Sequence, residues 1–477
     1  MSKESKTYKS ALKRKVFEEA KALSEQKGIK SYVIGGFVRD FVLKRGNAKD
    51  VDIVVDGNGI EFARELAKRL KISNVAIYKT YGTAMFKYRG IEYEFVGARK
   101  ESYHTFSRKP DVSIGTIEDD QLRRDFTINA LALSLNSDDF GKLIDPFNGV
   151  ADLKNKIIRT PLDPSVTFSD DPLRMMRAIR FATQLNFSIV PEVLDAITSQ
   201  KVRIEIVSME RIHLELNKII LSEKPSIGFI LLKNTGLLKI VFPELDNLSG
   251  VELKNGIAHK DNFYHTIKVL DNLAEKSDDL WLRWAALLHD IGKQHTKKFV
   301  DGVGWTFHAH NYVGEKMVPG IFKRLKLPLN EKMRFVKKIV SLHMRPIALV
   351  EEIVTDSAIR RLLFEAGNDI DDLMKLCEAD ITSGNERLVQ KYIKNFKLVR
   401  EKLKEVEEKD ALREFQPPVS GDEIMKLLNL KPGKEVGIIK SAIKDAILDG
   451  KIPNQYEAAR KYMYKIAREL NIFQNNE

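Results

Sequence analysis

The sequence predicts an α+β N-terminal head, a small mixed sheet with helices, followed by mainly α-helical domains, and three observations predict it. Up to about residue 150, short Val/Ile-rich runs alternate with helical stretches. From Asp170 onward the apolar spacing is helical almost throughout, as in Leu214, Leu216, Ile219 and Ile220, and in Leu282, Ala285, Ala286 and Leu288. At 477 residues the chain exceeds what one hydrophobic core serves. In order, Tyr32–Ile34 reads as a strand running into the Gly35-Gly36 turn, with a helix beginning near Val38-Arg39. Strands follow at Asp52–Val55, Thr83–Tyr88, Ile91–Val96 and Leu131–Leu135, with a helix over Gly59–Leu70. Turn residues put boundaries near Asp145–Gly149, Ser222–Pro225, Asn247–Gly250 and after Ser383-Gly384.

Composition narrows the function classes. Apolar content is 43%, no run approaches a membrane span, and the charged start Met1–Lys6 lacks the apolar stretch of a signal peptide. Cys377 is the only cysteine, so an intrachain disulfide is excluded and a reducing cytoplasm without membrane contact is expected. Net charge is +12, from 79 basic and 67 acidic residues spread along the chain, which favours a polyanionic partner.

Asp50 and Asp52, in Lys49-Asp50-Val51-Asp52-Ile53-Val54-Val55, carry the sharpest signal. Residues i and i+2 of a strand share a face, so two carboxylates stand together on an otherwise apolar element and require a cation between them. Hard oxygen ligands suit Mg²⁺, and such a site can hold the attacking and leaving oxygens of an in-line phosphoryl displacement. Upstream, Gly35 and Gly36 bring backbone N–H groups close enough to cradle a triphosphate, with Arg39 and Asp40 following. A solvated turn is the alternative for Asp-x-Asp taken alone.

In Ser169–Phe181 a helix is expected to start with Asp170 as N-cap and Pro172 in the first turn. Asp171 and Arg174 then share one face, continued by Arg177 and Arg180. They form an ordinary helix pair or a base reader. On a Watson–Crick edge an Asp accepts and an Arg donates. Cytosine and adenine present an amino donor beside a ring-nitrogen acceptor, whereas guanine and uracil present the reverse order. A fixed Asp/Arg pair therefore accepts C and A and rejects G and U.

Taken together, Gly35-Gly36-Phe37-Val38-Arg39-Asp40, Asp50-Val51-Asp52, Arg123-Arg124-Asp125-Phe126-Thr127-Ile128-Asn129-Ala130, Asp145–Gly149, Asp171-Pro172-Leu173-Arg174 and Glu210-Arg211-Ile212 resemble the class II tRNA nucleotidyltransferases, a family that includes bacterial poly(A) polymerases. The resemblance implies a nucleotidyltransferase head over 1–150 and a helical nucleotide-recognition neck and body over 151–250. It implies addition of C, C and A to the tRNA 3′ end from CTP and ATP, with Asp50 and Asp52 as ligands of the catalytic Mg²⁺. Arg124, Asp125 and Asn129 are implied at the ribose, and Asp171 and Arg174 as the amino-acid template for the base. Gly35, Gly36, Arg39, Arg177 and Arg180 complete the implied nucleotide-binding set. Asp170 stands where the family usually has Glu. A third catalytic carboxylate aligns with Glu94, although Glu92 has the same strand parity. The stretch Gly97–Tyr103 through Lys109-Pro110 matches the family's flexible loop, or is an inert surface loop. Tyr81–Lys87 lacks the Gly-Arg-Arg/Lys-Phe element of poly(A) polymerases, which remain the nearest alternative together with partial CC- or A-adding enzymes.

His265, His289-Asp290 and Asp380, with His310 and His343, follow the order of an HD phosphohydrolase domain, expected over 251–385. Imidazole and carboxylate ligands suit a divalent transition metal or Mg²⁺ and hydrolysis of a phosphate ester; a helical scaffold without activity is the alternative. Residues 386–477 resemble the helical tRNA-binding tail of HD-containing family members. In it, a capped helix at Gly421, a turn at Lys431–Gly433 and a helix over Glu435–Leu448 offer amides flanked by Lys434 and Lys440 to a phosphate. Cys377, His104, His213, His259, His295 and His308 are assigned no chemistry. A hydrolase with an RNA-binding head, and a non-catalytic RNA chaperone, are the readings from other classes. The oligomeric state is left open.

Overall fold

The computed structural model describes residues 8–46, 50–102, 111–351, 355–383, 385–410 and 417–472. Lys49, His104, Gly384 and most of the expected flexible loop lie outside the described residues. The chain forms two compact units, Met1–Pro243 and Glu244–Glu477.

The first unit is built on a mixed sheet. Its strands are β1 (Ser31–Ile34), β2 (Asp50–Val55), β3 (Ala76–Tyr78), β4 (Thr83–Tyr88) and β5 (Ile91–Gly97). After a separate antiparallel pair, β6 (Arg99–Ser102) with β7 (Asp111–Ile114), come β8 (Ala132–Ser134) and β9 (Leu143–Ile144). The sheet order is β3-β4-β5-β2-β1-β8-β9, and only β2 and β5 run parallel. Strand alternation divides its faces. Val51, Ile53, Tyr93 and Phe95 are buried. Phe17 of the helix Lys15–Lys27 meets Tyr93 edge-on at 6.2 Å, and Phe62 of the helix Gly59–Arg69 lies 6.3 Å from Phe95. Asp50, Asp52, Glu92 and Glu94 have the opposite parity and share the other face.

The expected strands and the helix over Gly59–Leu70 are present within a residue or two of their expected ends. The helix after β1 begins earlier than expected, at Gly36, because Gly35 turns the chain at φ 83° and the Arg39 amide already donates to its carbonyl at 3.1 Å. The start of the expected flexible loop is β6, which pairs with β7 just beyond the loop's expected end at Pro110.

One expectation at the Ser169–Phe181 segment is corrected. Asp170 is the last residue of an earlier helix, Pro164–Asp170, whose N-cap is Asp163, accepting from the Ser165 and Val166 amides. Proline at position 172 disfavours helical backbone at the residue before it, so Asp171 is extended (φ −138°, ψ 102°) and the chain restarts as Leu173–Leu185. Asp171 takes the local capping role, its Oδ1 accepting from the Leu173 amide at 3.1 Å. That helix packs against Met209–Ile220 and Ser226–Asn234.

The second unit is mainly helical. Trp284, fully buried on Leu280–Leu288, lies 6.4 Å from Phe322 of His310–Arg324. Two short antiparallel ribbons, Leu253–Lys254 with Ile257–Ala258 and Lys298–Val300 with Gly304–Thr306, were not anticipated. In the tail, Ser420 and Glu423 form a reciprocal capping box for Gly421–Leu428, and the next helix spans Lys434–Leu448. Among the described residues no helix is long and apolar enough to cross a membrane.

Candidate active site and candidate metal centre

In the first unit, a cavity of about 610 Å³ gathers the sheet's acidic face and the start of the helix Leu173–Leu185. Its lining includes Asp50, Asp52 and Glu94, Asp171 and Arg174, and Gly35, Gly36, Arg39, Arg124, Asp125, Asn129, Arg177 and Arg180. Every nucleotide-site residue singled out from the sequence is therefore brought to this cavity. Glu92, the other candidate for a third carboxylate, is absent from the lining and lies 3.8 Å from Lys87 on β4.

Gly35 is required by close approach as well as by its φ. A Cβ there would stand 3.0 Å from Arg124 Nη1 and 3.3 Å from Asp52 Oδ2. Burial in the cleft raises the Asp52 carboxyl above its ordinary range, with Asp120 and Asp50 acting in the same direction and Arg124 opposing. Carboxylates crowded in this way are the donor set a hard divalent cation satisfies, and Asp50 and Asp52 fit Mg²⁺ on that ground.

A continuous hydrogen-bonded series organises the middle of the cavity. Arg39 Nη1 donates to Asn129 Oδ1 at 2.8 Å, Asn129 Nδ2 to Asp125 Oδ1 at 3.0 Å, and Arg177 Nε to Asp125 Oδ2 at 2.7 Å. Burial pushes the Asp125 carboxyl up, but Arg177 and the Asn129 amide outweigh it and hold the group below the usual carboxylate range. Asp125 is consequently a fixed acceptor.

Asp171 and Arg174 are each oriented by other groups. Arg211 Nη2 donates to Asp171 Oδ2 at 2.8 Å, and Arg174 Nη2 donates to the Arg123 carbonyl at 2.7 Å. Arg180 pairs with buried Glu215 at 2.6 Å and lies 3.8 Å over the Phe181 ring, which Arg39 and Arg177 also face at 5.1 and 5.5 Å. Burial lowers the Arg180 guanidinium to about 10, against the pull of Glu215. Sequence reasoning gave no role to Glu215 or Phe181. An acidic residue on the apolar face of Met209–Ile220, beside Ile212, Leu216 and Ile219, was the available signal.

In the second unit, six side chains from five separate places in the sequence converge. His265 Nε2 lies 3.4 Å from Asp290 and 3.0 Å from Asp380; His289 Nε2 is 3.3 Å from Asp290. His310 Nε2 is 3.2 Å from Asp290 and 3.2 Å from His343 Nε2. The opposite ring nitrogens are held outside the cluster: Nδ1 of His289, His310 and His343 bonds the carbonyls of Ala286, Phe307 and Val340 at 2.7–2.9 Å, and that of His265 contacts Thr382 Oγ1 at 2.9 Å. Nδ1–H donation to a carbonyl leaves Nε2 with a lone pair directed inward. Burial keeps His343 neutral, pushing it down to about 4, and buried His289 Nε2 makes no hydrogen bond. Inward lone pairs, an orphaned imidazole nitrogen and two carboxylates fit a divalent cation. Lys293 Nζ, 2.6 Å from Asp290 Oδ2, supplies a neighbouring positive charge.

Comparison with known proteins places both parts of the chain in known domain families. Residues 31–159 match the poly A polymerase head domain, 186–248 the probable RNA- and SrmB-binding site of polymerase A, and 262–409 the HD domain. The A-adding tRNA nucleotidyltransferase of Deinococcus radiodurans is 33% identical over 363 residues, covering 74% of this chain and 80% of the relative. The multifunctional CCA protein of Shewanella frigidimarina is 31% identical over 371 residues, covering 74% and 84%. A crystal structure of the Bacillus stearothermophilus CCA-adding enzyme in complex with CTP shares the fold at TM-score 0.66 and 23% identity, over 96% of this chain and 99% of that one. The fold and the two clusters define a nucleotidyltransferase head joined to an HD domain. The chain belongs to the tRNA nucleotidyltransferase family, whose members include CCA-adding and A-adding enzymes.

Proposed function

We propose that the chain adds C, C and A to the 3′ end of tRNA from CTP and ATP, by template-independent, Mg²⁺-dependent nucleotidyl transfer. The observation that carries this reading is the presence of Asp50 and Asp52 in one cavity with Asp171 and Arg174. The metal, when bound by the two aspartates, would neutralise the charge of the triphosphate. Glu94 accepts the proton of the primer 3′ hydroxyl; that oxygen bonds to the α-phosphorus as the bond to pyrophosphate breaks. Asp125, anchored by Arg177, accepts from the ribose, and Asn129 is held beside it by Arg39. Asp171 accepts from the amino group of C or A while Arg174 donates to the adjacent ring nitrogen. Catalysis is positioning plus electrostatics, with no covalent enzyme intermediate. Residues 1–150, 151–250, 251–385 and 386–477 are the head, the neck and body, the HD domain and the tRNA-binding tail of this reading.

The test is a tRNA transcript ending at the discriminator base, given CTP, ATP or both, with product ends sequenced. Growth by two C with CTP and completion to CCA with both is expected. Extension only of a transcript already ending in CC would replace it with the A-adding reading, which the names of the Deinococcus radiodurans and Aquifex aeolicus relatives favour. A long A tail on varied RNAs would identify a poly(A) polymerase.

The convergence of six ligand side chains supports a second activity, hydrolysis of a phosphate ester at the HD cluster. His265, His289, Asp290, His310, His343 and Asp380 would hold the divalent metal, which supplies charge neutralisation at the phosphate. Water oxygen bonds to phosphorus, the ester P–O bond breaks, and the leaving oxygen departs as the alcohol. His289→Ala is expected to abolish phosphatase and phosphodiesterase activity while sparing nucleotide addition; unchanged hydrolysis in that variant would refute the second activity.

A further inference from the structure

The HD cluster opens on a cavity of about 490 Å³ whose lining joins His265, His310 and Asp380 of the cluster to Trp305 and Phe307. The two short ribbons build the wall that carries Trp305. Trp305 Nε1 donates to the Ile257 carbonyl at 3.1 Å, tying one ribbon to the other and fixing the plane of the indole. His259 meets Trp305 edge-on at 5.3 Å and Phe307 at 6.0 Å, so its ring braces both. Lys293 joins wall to cluster, its Nζ lying 2.6 Å from Asp290 Oδ2 and 5.6 Å from the Phe307 ring centre.

An aromatic wall whose Trp305 ring carries Lys297 Nζ at 4.9 Å over one face, next to carboxylate and imidazole ligands and Lys293, is better matched to an aromatic anion than to a small, fully polar ester. It matches a ligand with a flat aromatic ring at one end and a phosphate at the other. Sequence-tolerant stacking of a base on an aromatic side chain is the general solution for such ligands. A volume of about 490 Å³ lies within the range that holds one small ligand and admits a single nucleotide.

We propose that Trp305 and Phe307 form a base-stacking subsite of the HD centre, selecting a nucleoside monophosphate or the terminal nucleotide of an RNA over phosphate esters that lack a base. The proposal rests on the reading of the cluster as a phosphate-ester site. Trp305 supplies the stacking plane, His259 and the Ile257 carbonyl hold that plane, and Lys293 guides the phosphate toward the cluster.

Of the three tryptophans, Trp281, Trp284 and Trp305, only Trp305 lines this cavity and none lines the transferase cavity, so intrinsic fluorescence is the readout of binding, with Trp305→Phe as its control. Using the full chain as purified, adenosine 3′-phosphorothioate is expected to quench tryptophan emission saturably, and ribose 5-phosphate is not. In hydrolysis, Trp305→Ala is expected to raise KM for adenosine 3′-monophosphate ~10-fold with little change in kcat, Trp305→Phe to retain most of the affinity, and KM for glycerol 2-phosphate to stay nearly constant. No quenching, or an equal KM change for both esters, overturns the subsite. If the unsubstituted enzyme hydrolyses neither ester, the hydrolase reading fails, and the quenching experiment still decides whether the wall binds a base.

Discussion

Asp52 and Glu94 are facing partners on the adjacent parallel strands β2 and β5, in the register that sets Asp50 opposite Glu92. All four carboxylates share a face, yet Glu94 lines the cavity and Glu92 lies toward Lys87. Glu94→Gln should therefore lower kcat for nucleotide addition by roughly 100-fold or more, the scale of one positioned general base. Glu92→Gln should leave turnover within a few-fold of the unsubstituted enzyme. Single-turnover incorporation on primed tRNA measures both, and a larger loss for Glu92→Gln would transfer the role.

Asp171 is held by Arg211, and Arg174 by the Arg123 carbonyl, so both side chains of the proposed base reader have partners before nucleotide arrives. Removing the Asp171 carboxylate deletes the acceptor proposed to exclude G and U. Asp171→Ala should lower kcat/KM for CTP and ATP and reduce their preference over GTP and UTP by about 10- to 100-fold, the value of roughly one or two buried hydrogen bonds. Competition assays with all four triphosphates read this ratio. A variant that slows all four equally would place Asp171 outside base selection.

The Arg180–Glu215 pair is buried on both sides, at 8% and 4% exposure. Glu215→Leu leaves a guanidinium without its partner in the interior and should cost about 3–5 kcal/mol. Arg180→Met combined with Glu215→Leu should recover much of that loss while nucleotide binding stays impaired, because Arg180 also lines the cavity. Denaturant melts of the single and double variants test the pairing. Additive losses would show that the two residues act independently.

Asp56, at the end of β2, provides a pH-dependent probe away from both sites. Burial raises its carboxyl to about 6, with Glu118 adding to the rise and Lys30 opposing it, and its Oδ1 has no hydrogen-bond partner. An acid whose pKa is higher folded than unfolded holds its proton in the folded state while the unfolded chain loses it. Its contribution to stability is therefore complete below about pH 4, falls between pH 4 and about 6, and stays low above that. Asp56→Asn should raise the thermal midpoint at pH 7.5 by a few degrees and have little effect at pH 4. A gain independent of pH would contradict this account.

The first unit was legible where period and spacing coincide. Val51, Ile53, Asp50 and Asp52 alternate strictly, so strand and carboxylate face followed from one pattern. The start of the helix after Asp171 was misplaced because Asp163-Pro164 and Asp171-Pro172 are both plausible starts. Local chemistry alone does not say that a helix already ends at Asp170. The ribbons bearing Ile257 and Trp305 were missed because two- and three-residue strands carry no period. Their aromatic contacts join segments about fifty residues apart.

By itself the sequence determined the inventory: the Asp-x-Asp strand, the Gly35-Gly36 turn, the Asp171/Arg174 spacing and six metal-type ligands in order. Those are local properties, set by backbone period, steric limits and side-chain chemistry within a few residues. Tertiary structure decided which carboxylate reaches the cavity, that Glu215 and Arg211 fix Arg180 and Asp171, and that an aromatic wall faces the HD cluster. These depend on strand register and helix packing, where one residue of shift or half a turn of rotation moves a side chain from a site to solvent.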